Sequence, residues 1–145
     1  MADALEALSR LAIGEARPIG LRAVNGHAAL REARSCYDHL AGRVGVGLAD
    51  SLVERGALTE AFAIADETYF ERAFGIDVHA LPRRRAVVRA CVDWTERRSH
   101  VAGALGAALL DVALERDWVR RRDDGRALNL TAAGRAALVN GEHTV

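Results

Sequence analysis

The sequence predicts a mainly α-helical α+β fold: two tandem, degenerate winged-helix-like units related by a pseudo-two-fold axis, the second with a small β-hairpin. Three observations predict it. First, Arg34-Ser35-Cys36-Tyr37-Asp38 returns as Arg89-Ala90-Cys91-Val92-Asp93, and His39 to Leu58 returns as His100 to Val119. Of these 25 aligned positions 11 are identical, against roughly two or three from composition alone. A duplicated unit tends to pack on its twin about an approximate two-fold axis. Second, each copy carries a long apolar stripe at helical spacing. Third, the second copy ends in a helix, a turn-bearing hairpin pattern and another helix, which is the tail of a winged-helix unit.

In chain order, Ala2 to Ala12 reads as an amphipathic helix whose stripe of Leu5, Leu8 and Leu11 needs a partner surface, a candidate dimer contact. Gly14 to Gly20, with Pro18, reads as a linker, and Asn25-Gly26 as a break. A helix is expected from His27 towards Tyr37. The first repeat helix is expected from Leu40 to Arg55, on the stripe Leu40, Val44, Leu48, Leu52, with Gly56 as its C-terminal cap. The second is expected from Val101 to Arg116, on Val101, Leu105, Leu109 and Ala113. Each interior glycine costs about 1 kcal/mol relative to alanine. Ala41/Gly45/Ala49 and Ala102/Gly106 are therefore read as close-approach positions where the two helices cross.

Thr59 to Phe74 has no hairpin pattern and reads as mostly helical, and Leu81 to Arg85 as a solvated basic link. Trp118 to Thr131 reads as a hairpin turning at Asp123-Asp124-Gly125. Thr131 then caps a short helix, Ala132 to Val139, stopped by Asn140-Gly141. These elements divide the chain into a helix and linker (1–20), a first repeat unit (21–82) and a second repeat unit with its hairpin wing (83–145).

Half the residues are hydrophobic and 28% are charged, ordinary values for a soluble protein. No apolar run approaches the ~18 residues of a membrane span, and no signal peptide is evident. The expectation is a cytoplasmic protein with reduced thiols and no membrane partner. All 20 basic residues are arginines, matched by 20 acids, so net charge is zero. A freestanding nucleic-acid binder usually carries a basic excess. There is no phosphate-binding glycine loop, no serine-nucleophile context and no isolated carboxylate pair, so an enzyme is not expected.

Both cysteines lie inside the duplication, and Cys36, Asp38 and His39 with Cys91, Asp93 and His100 form the candidate site. Three readings stand. The thiols are buried packing, with Asp38 and Asp93 as helix N-caps and Asp93-Trp94-Thr95-Glu96 as a capping box. Or they form a small-effector or thiol sensor, tuned by Arg34 and Arg89, with Tyr37, Trp94 and Trp118 lining a pocket. Or Cys36, His39, Cys91 and His100 bind a metal ion such as zinc. Arg120, Arg121, Arg122 and Arg126 on the hairpin are candidate DNA-phosphate contacts, diluted by Asp117, Asp123 and Asp124.

Three strings, Ala29 to Arg43 (ALREARSCYDHLAGR), Arg89 to Arg98 (RACVDWTERR) continued by His100 to Gly106, and Arg126 to Arg135 (RALNLTAAGR), together with Phe74-Gly75-Ile76-Asp77, resemble the C-terminal region of a group of ArsR-type helix-turn-helix transcriptional regulators. The resemblance spans about residues 28 to 140. It implies a dimeric, cytoplasmic, DNA-linked regulator, with DNA read by an N-terminal winged helix-turn-helix head that this chain lacks, or by a partner segment. The reading from these residues is the effector-sensing and assembly region of such a regulator, responding to an unknown small effector. The alternative is a freestanding small-ligand, metal-binding or protein-interaction module with no DNA role.

Overall fold

The computed structural model describes residues 21–143, and the side chains of 24–143. The expected helix Ala2 to Ala12 and its linker lie outside the described residues. The fold is mixed α+β. Its elements are α1 (Leu21–Glu32), β1 (Arg34–Cys36), β2 (His39–Ala41), α2 (Gly42–Glu54), α3 (Glu67–Phe74), a 3-10 turn (Val78–Ala80), β3 (Arg89–Val92), β4 (Ser99–Ala102), α4 (Gly103–Glu115), β5 (Val119–Arg121), β6 (Leu128–Leu130) and α5 (Ala132–Gly134), which widens into a π turn (Arg135–Val139). The strands form three two-stranded antiparallel sheets, β1–β2, β3–β4 and β5–β6.

Two hairpins precede helices that were expected to start earlier. Leu40 and Val101 belong to strands, and the repeat helices begin at Gly42 and Gly103. The reason is local. Both glycines sit at φ +81°, a left-handed conformation, and a Cβ there would strike the carbonyls of Arg31 and Glu32, or of Ala86 and Val87. The chain therefore pivots on glycine from strand into helix. The apolar stripes survive this shift, since Leu40, Val44, Leu48, Leu52, Val101, Leu105, Leu109 and Ala113 are all buried.

The expected break at Asn25-Gly26 is absent, because α1 runs through it. α1 packs against α2 and stops at Glu32, where Arg34 turns into β1 instead of extending the helix to Tyr37. Between Thr59 and Phe74 only the second half is helical. Asp66 caps α3 by accepting from Tyr69 N, and Gly75 closes it at φ +70°. The C-terminal hairpin and helix match expectation. Thr131 Oγ1 accepts from Gly134 N at 2.9 Å. The hairpin docks on the first copy, where Ser35 N donates to Arg126 O and Leu128 N to Ala33 O. One hydrophobic cluster draws on both copies, with Leu48, Leu52, Phe70, Phe74, Leu105, Leu109, Val119 and Leu138 among its members.

Glycine spacing in the repeat helices serves a different contact from the one expected. A Cβ on Gly45 would meet Leu40 O at 2.5 Å and His100 Cβ at 3.6 Å. One on Gly106 would meet Val101 O, and His39 Cβ at 3.1 Å. Each glycine thus makes room first for the carbonyl of its own copy's strand, and Gly106 also for His39 of the other copy's hairpin. α2 packs on β4 and α4 on β2, while β2 lies beside β4.

Candidate functional site

Hairpin register positions the chemistry. In an antiparallel pair, directly opposed residues project side chains to the same face. Cys36 pairs with His39 across β1–β2, and Cys91 with His100 across β3–β4. Each hairpin therefore presents one thiol and one imidazole together. Because β2 and β4 are neighbours, the two pairs converge, and one ligand-capable atom from each of Cys36, His39, Cys91 and His100 lies within 4.8 Å of the others. The imidazoles meet head-on, with Nε2 to Nε2 at 3.0 Å. Both histidines are buried, and both free thiols are half-buried.

Carboxylates hold the far side of each ring. His100 Nδ1 lies 3.1 Å from Asp93 Oδ2, and His39 Nδ1 lies 3.4 Å from Asp38 Oδ1. Asp93 is the hub. It is fully buried, and its Oδ2 also accepts from Arg34 Nη2 at 3.0 Å and from Gly42 N at 2.7 Å. Its Oδ1 accepts from Thr95 N, Thr95 Oγ1 and Glu96 N. The expected capping box is thus a turn closing the β3–β4 hairpin, with no helix after it. Asp93 instead caps the start of α2 in the other copy. Asp38 is no helix cap either. It binds Arg85 at 2.6 Å, and Arg85 also donates to Gly103 O.

These contacts set the protonation states. Burial raises the Asp93 carboxyl, but the hydrogen bonds from Thr95, Gly42, Arg34 and Glu96 outweigh it and hold the group well below the usual carboxylate range. Burial pushes both His39 and His100 down, His100 further through its neighbour His39, against the upward pull of their aspartates. Burial and the adjacent Cys36 push the Cys91 thiol up. A cavity of about 270 Å³ opens on the thiol side, lined by Cys36, Tyr37, Arg85, Arg89 and Cys91 among others.

Over 114 residues the chain is 46% identical to an uncharacterized HTH-type transcriptional regulator, YdfF, of Bacillus subtilis (strain 168). The match covers 75% of this chain and 50% of that protein, so the chain spans about half the length of the curated relative it matches. No family model and no solved structure matches the chain. Among the described residues no helix is long and apolar enough to cross a membrane.

The remaining candidates scatter. Tyr37, at φ +59°, projects from the β1–β2 turn at the cavity rim and is 88% exposed. Trp94 is also exposed but lies on another surface groove, beside Val24, His27 and Arg43, with the Arg34 guanidinium 4.6 Å from its ring centre. Trp118 is a core residue set edge-on to Phe74. The aromatic trio therefore does not line one pocket. On the C-terminal hairpin, Arg120 is held by both oxygens of Asp117, and Arg122 by both oxygens of Asp124. Arg126 lines a separate hollow with His27 and Leu30, and Arg121 is exposed. Arg85 escaped the sequence reading, which placed it in a solvated link. Its signal was faint: an arginine a few residues before the β3 strand, with no pattern of its own.

Proposed function

We propose that this chain is the effector-sensing and assembly region of an ArsR-like helix-turn-helix transcriptional regulator, acting as a cytoplasmic homodimer and not as an enzyme. DNA would be read by a segment other than residues 21–143. The two copies act as winged-helix-like units about a pseudo-two-fold axis, and the effector acts at the seam between them. One observation carries the reading. The cysteine–histidine pairs of both copies meet in one cluster, so a ligand bound there contacts both halves and favours one arrangement of them over another. The kinship with an HTH-type regulator supports it. So does the pairing of Arg120 and Arg122 with aspartates, which leaves the hairpin poorly suited to holding phosphates alone.

The test is a transcriptional reporter on the gene's own promoter region. The strains carry the whole reading frame intact, deleted, or with Cys36→Ser and Cys91→Ser together. Deletion should change expression, and the double substitution should lock the reporter in one state whatever effector is supplied. Expression indifferent to deletion would support a freestanding binding module instead.

A further inference from the structure

We infer that Cys36, His39, Cys91 and His100 form a tetrahedral site for a thiophilic metal ion of the zinc class, shared equally between the two copies. The donor set comes first. Two thiols and two imidazoles form a ligand combination that structural zinc sites use, and soft sulfur donors discriminate against magnesium and calcium. Neither hairpin alone has more than two donors, and the fold supplies the other two from residues at least 52 positions away (Cys91 against His39).

Geometry comes next. With Zn–N near 2.05 Å, a tetrahedron sets its two nitrogens about 3.3 Å apart; with Zn–S near 2.3 Å, its two sulfurs lie about 3.8 Å apart. The observed Nε2–Nε2 distance is 3.0 Å, and no pair among the four donor atoms exceeds 4.8 Å. Shifts of a few tenths of an ångström to about 1 Å bring the set to ligand spacing. These are side-chain rotations, as the strands already hold each thiol opposite its imidazole.

The outer contacts give an independent argument. Metal-bound histidines commonly donate their second N–H to a carboxylate, which fixes the tautomer with the free lone pair facing the ion. Here both Nδ1 atoms face carboxylates, Asp38 and Asp93. Both Nε2 atoms then present lone pairs to each other at 3.0 Å. Two acceptors at that distance repel unless a proton or a cation lies between them. A metal ion satisfies both rings with their aspartate bonds kept. The cavity on the thiol side provides an entry path.

Packing alone explains this less well. Thiols that only fill space are usually fully buried, whereas Cys36 and Cys91 keep partial access to solvent beside two buried imidazoles. Ion binding is a property of the chain itself. Its use as the sensing event rests on the function proposed above.

The test uses the full chain, reduced and stripped of metal, titrated with cobalt(II) and then with zinc. One equivalent of cobalt should give the intense visible bands of a tetrahedral site together with thiolate charge-transfer absorbance, and zinc should bleach both. Cys36→Ala with Cys91→Ala should abolish the charge-transfer band while the fold is retained, as neither side chain is fully buried or part of the hydrophobic cluster. Asp38→Asn keeps all four donors but loosens the hold on His39, and should weaken binding about 10–100-fold. Octahedral spectra, binding unchanged by the double cysteine substitution, or a Cys36–Cys91 disulfide forming in air equally fast with and without zinc would each overturn the site. Binding is read on the isolated chain and regulation on the reporter, so each can fail alone.

Discussion

Asp93 is the side chain on which both copies depend. It is buried, it caps α2 of the first copy through Gly42 N, and it pairs with the buried guanidinium of Arg34. Breaking a buried ion pair by removing one partner costs about 3–5 kcal/mol, because the other charge stays desolvated. Asp93→Asn should therefore lower unfolding stability by that order in denaturant titrations. A loss under about 1 kcal/mol would mean that Arg34 reaches solvent easily. The same residue sets the acid limb of stability. Its folded pKa is depressed, so its contribution is complete above the unfolded value of about 3.9 and is lost as pH falls through the lower folded value. His39 and His100 act earlier. Their folded pKa values are also depressed, so the unfolded chain takes up protons first, and stability starts to fall once pH drops below about 6.5. Asp93→Asn should flatten the lower segment of the pH–stability curve and deepen the upper one, because His100 loses the upward pull of the Asp93 carboxylate.

The hairpin–helix joints are the elements that the fold tolerates least. Gly106 sits where the carbonyl of Val101 folds over the first turn of α4 and where His39 of the other copy approaches. A methyl group there must displace backbone, so Gly106→Ala should destabilise by about 1–3 kcal/mol, the usual cost of overpacking. Gly47 lies in α2 with nothing within 4 Å of its would-be Cβ. Gly47→Ala should stabilise by about 0.5–1 kcal/mol, the helix-propensity gain. Thermal unfolding of the two variants checks the contrast, and equal signs would break it. These joints also mark where sequence reading stops. The stripes of α2 and α4, the β5–β6 hairpin and the Thr131 cap were legible, because periodicity and turn chemistry are local. The β1–β2 and β3–β4 hairpins were not, since three- and four-residue strands are too short for an alternating pattern and blend into the helices that follow. Gly45 and Gly106 were legible as close-approach positions, but what approaches is the carbonyl of the hairpin strand just before each helix, and for Gly106 also His39 of the other copy.

At the scale of the molecule the two copies complete each other. Cys36 and His39 were legible as chemistry-bearing residues, as were Cys91 and His100. The repeat itself suggested that they would meet. That Asp38 would recruit Arg85, or that Asp93 would serve Arg34 and Gly42, was invisible, because those partners are set by three-dimensional proximity and not by spacing. The interdependence is physical. Leu105 and Leu109 share one cluster with Leu48 and Leu52, α2 rests on β4, and α4 rests on β2. A unit of about 60 residues standing alone would bury only about 60% of the surface its unfolded chain exposes, less than a larger domain does, and would be marginal. Here each half would also expose a buried charge, Arg34 in one and Asp93 in the other. Fragments 21–82 and 83–145, produced separately, should therefore show no cooperative thermal transition. Mixed, they should associate and regain one, with a midpoint that rises with concentration as mass action requires. Two separate, sharp, concentration-independent transitions would instead mean that the halves are autonomous, and the seam between them a contact surface and not a shared core.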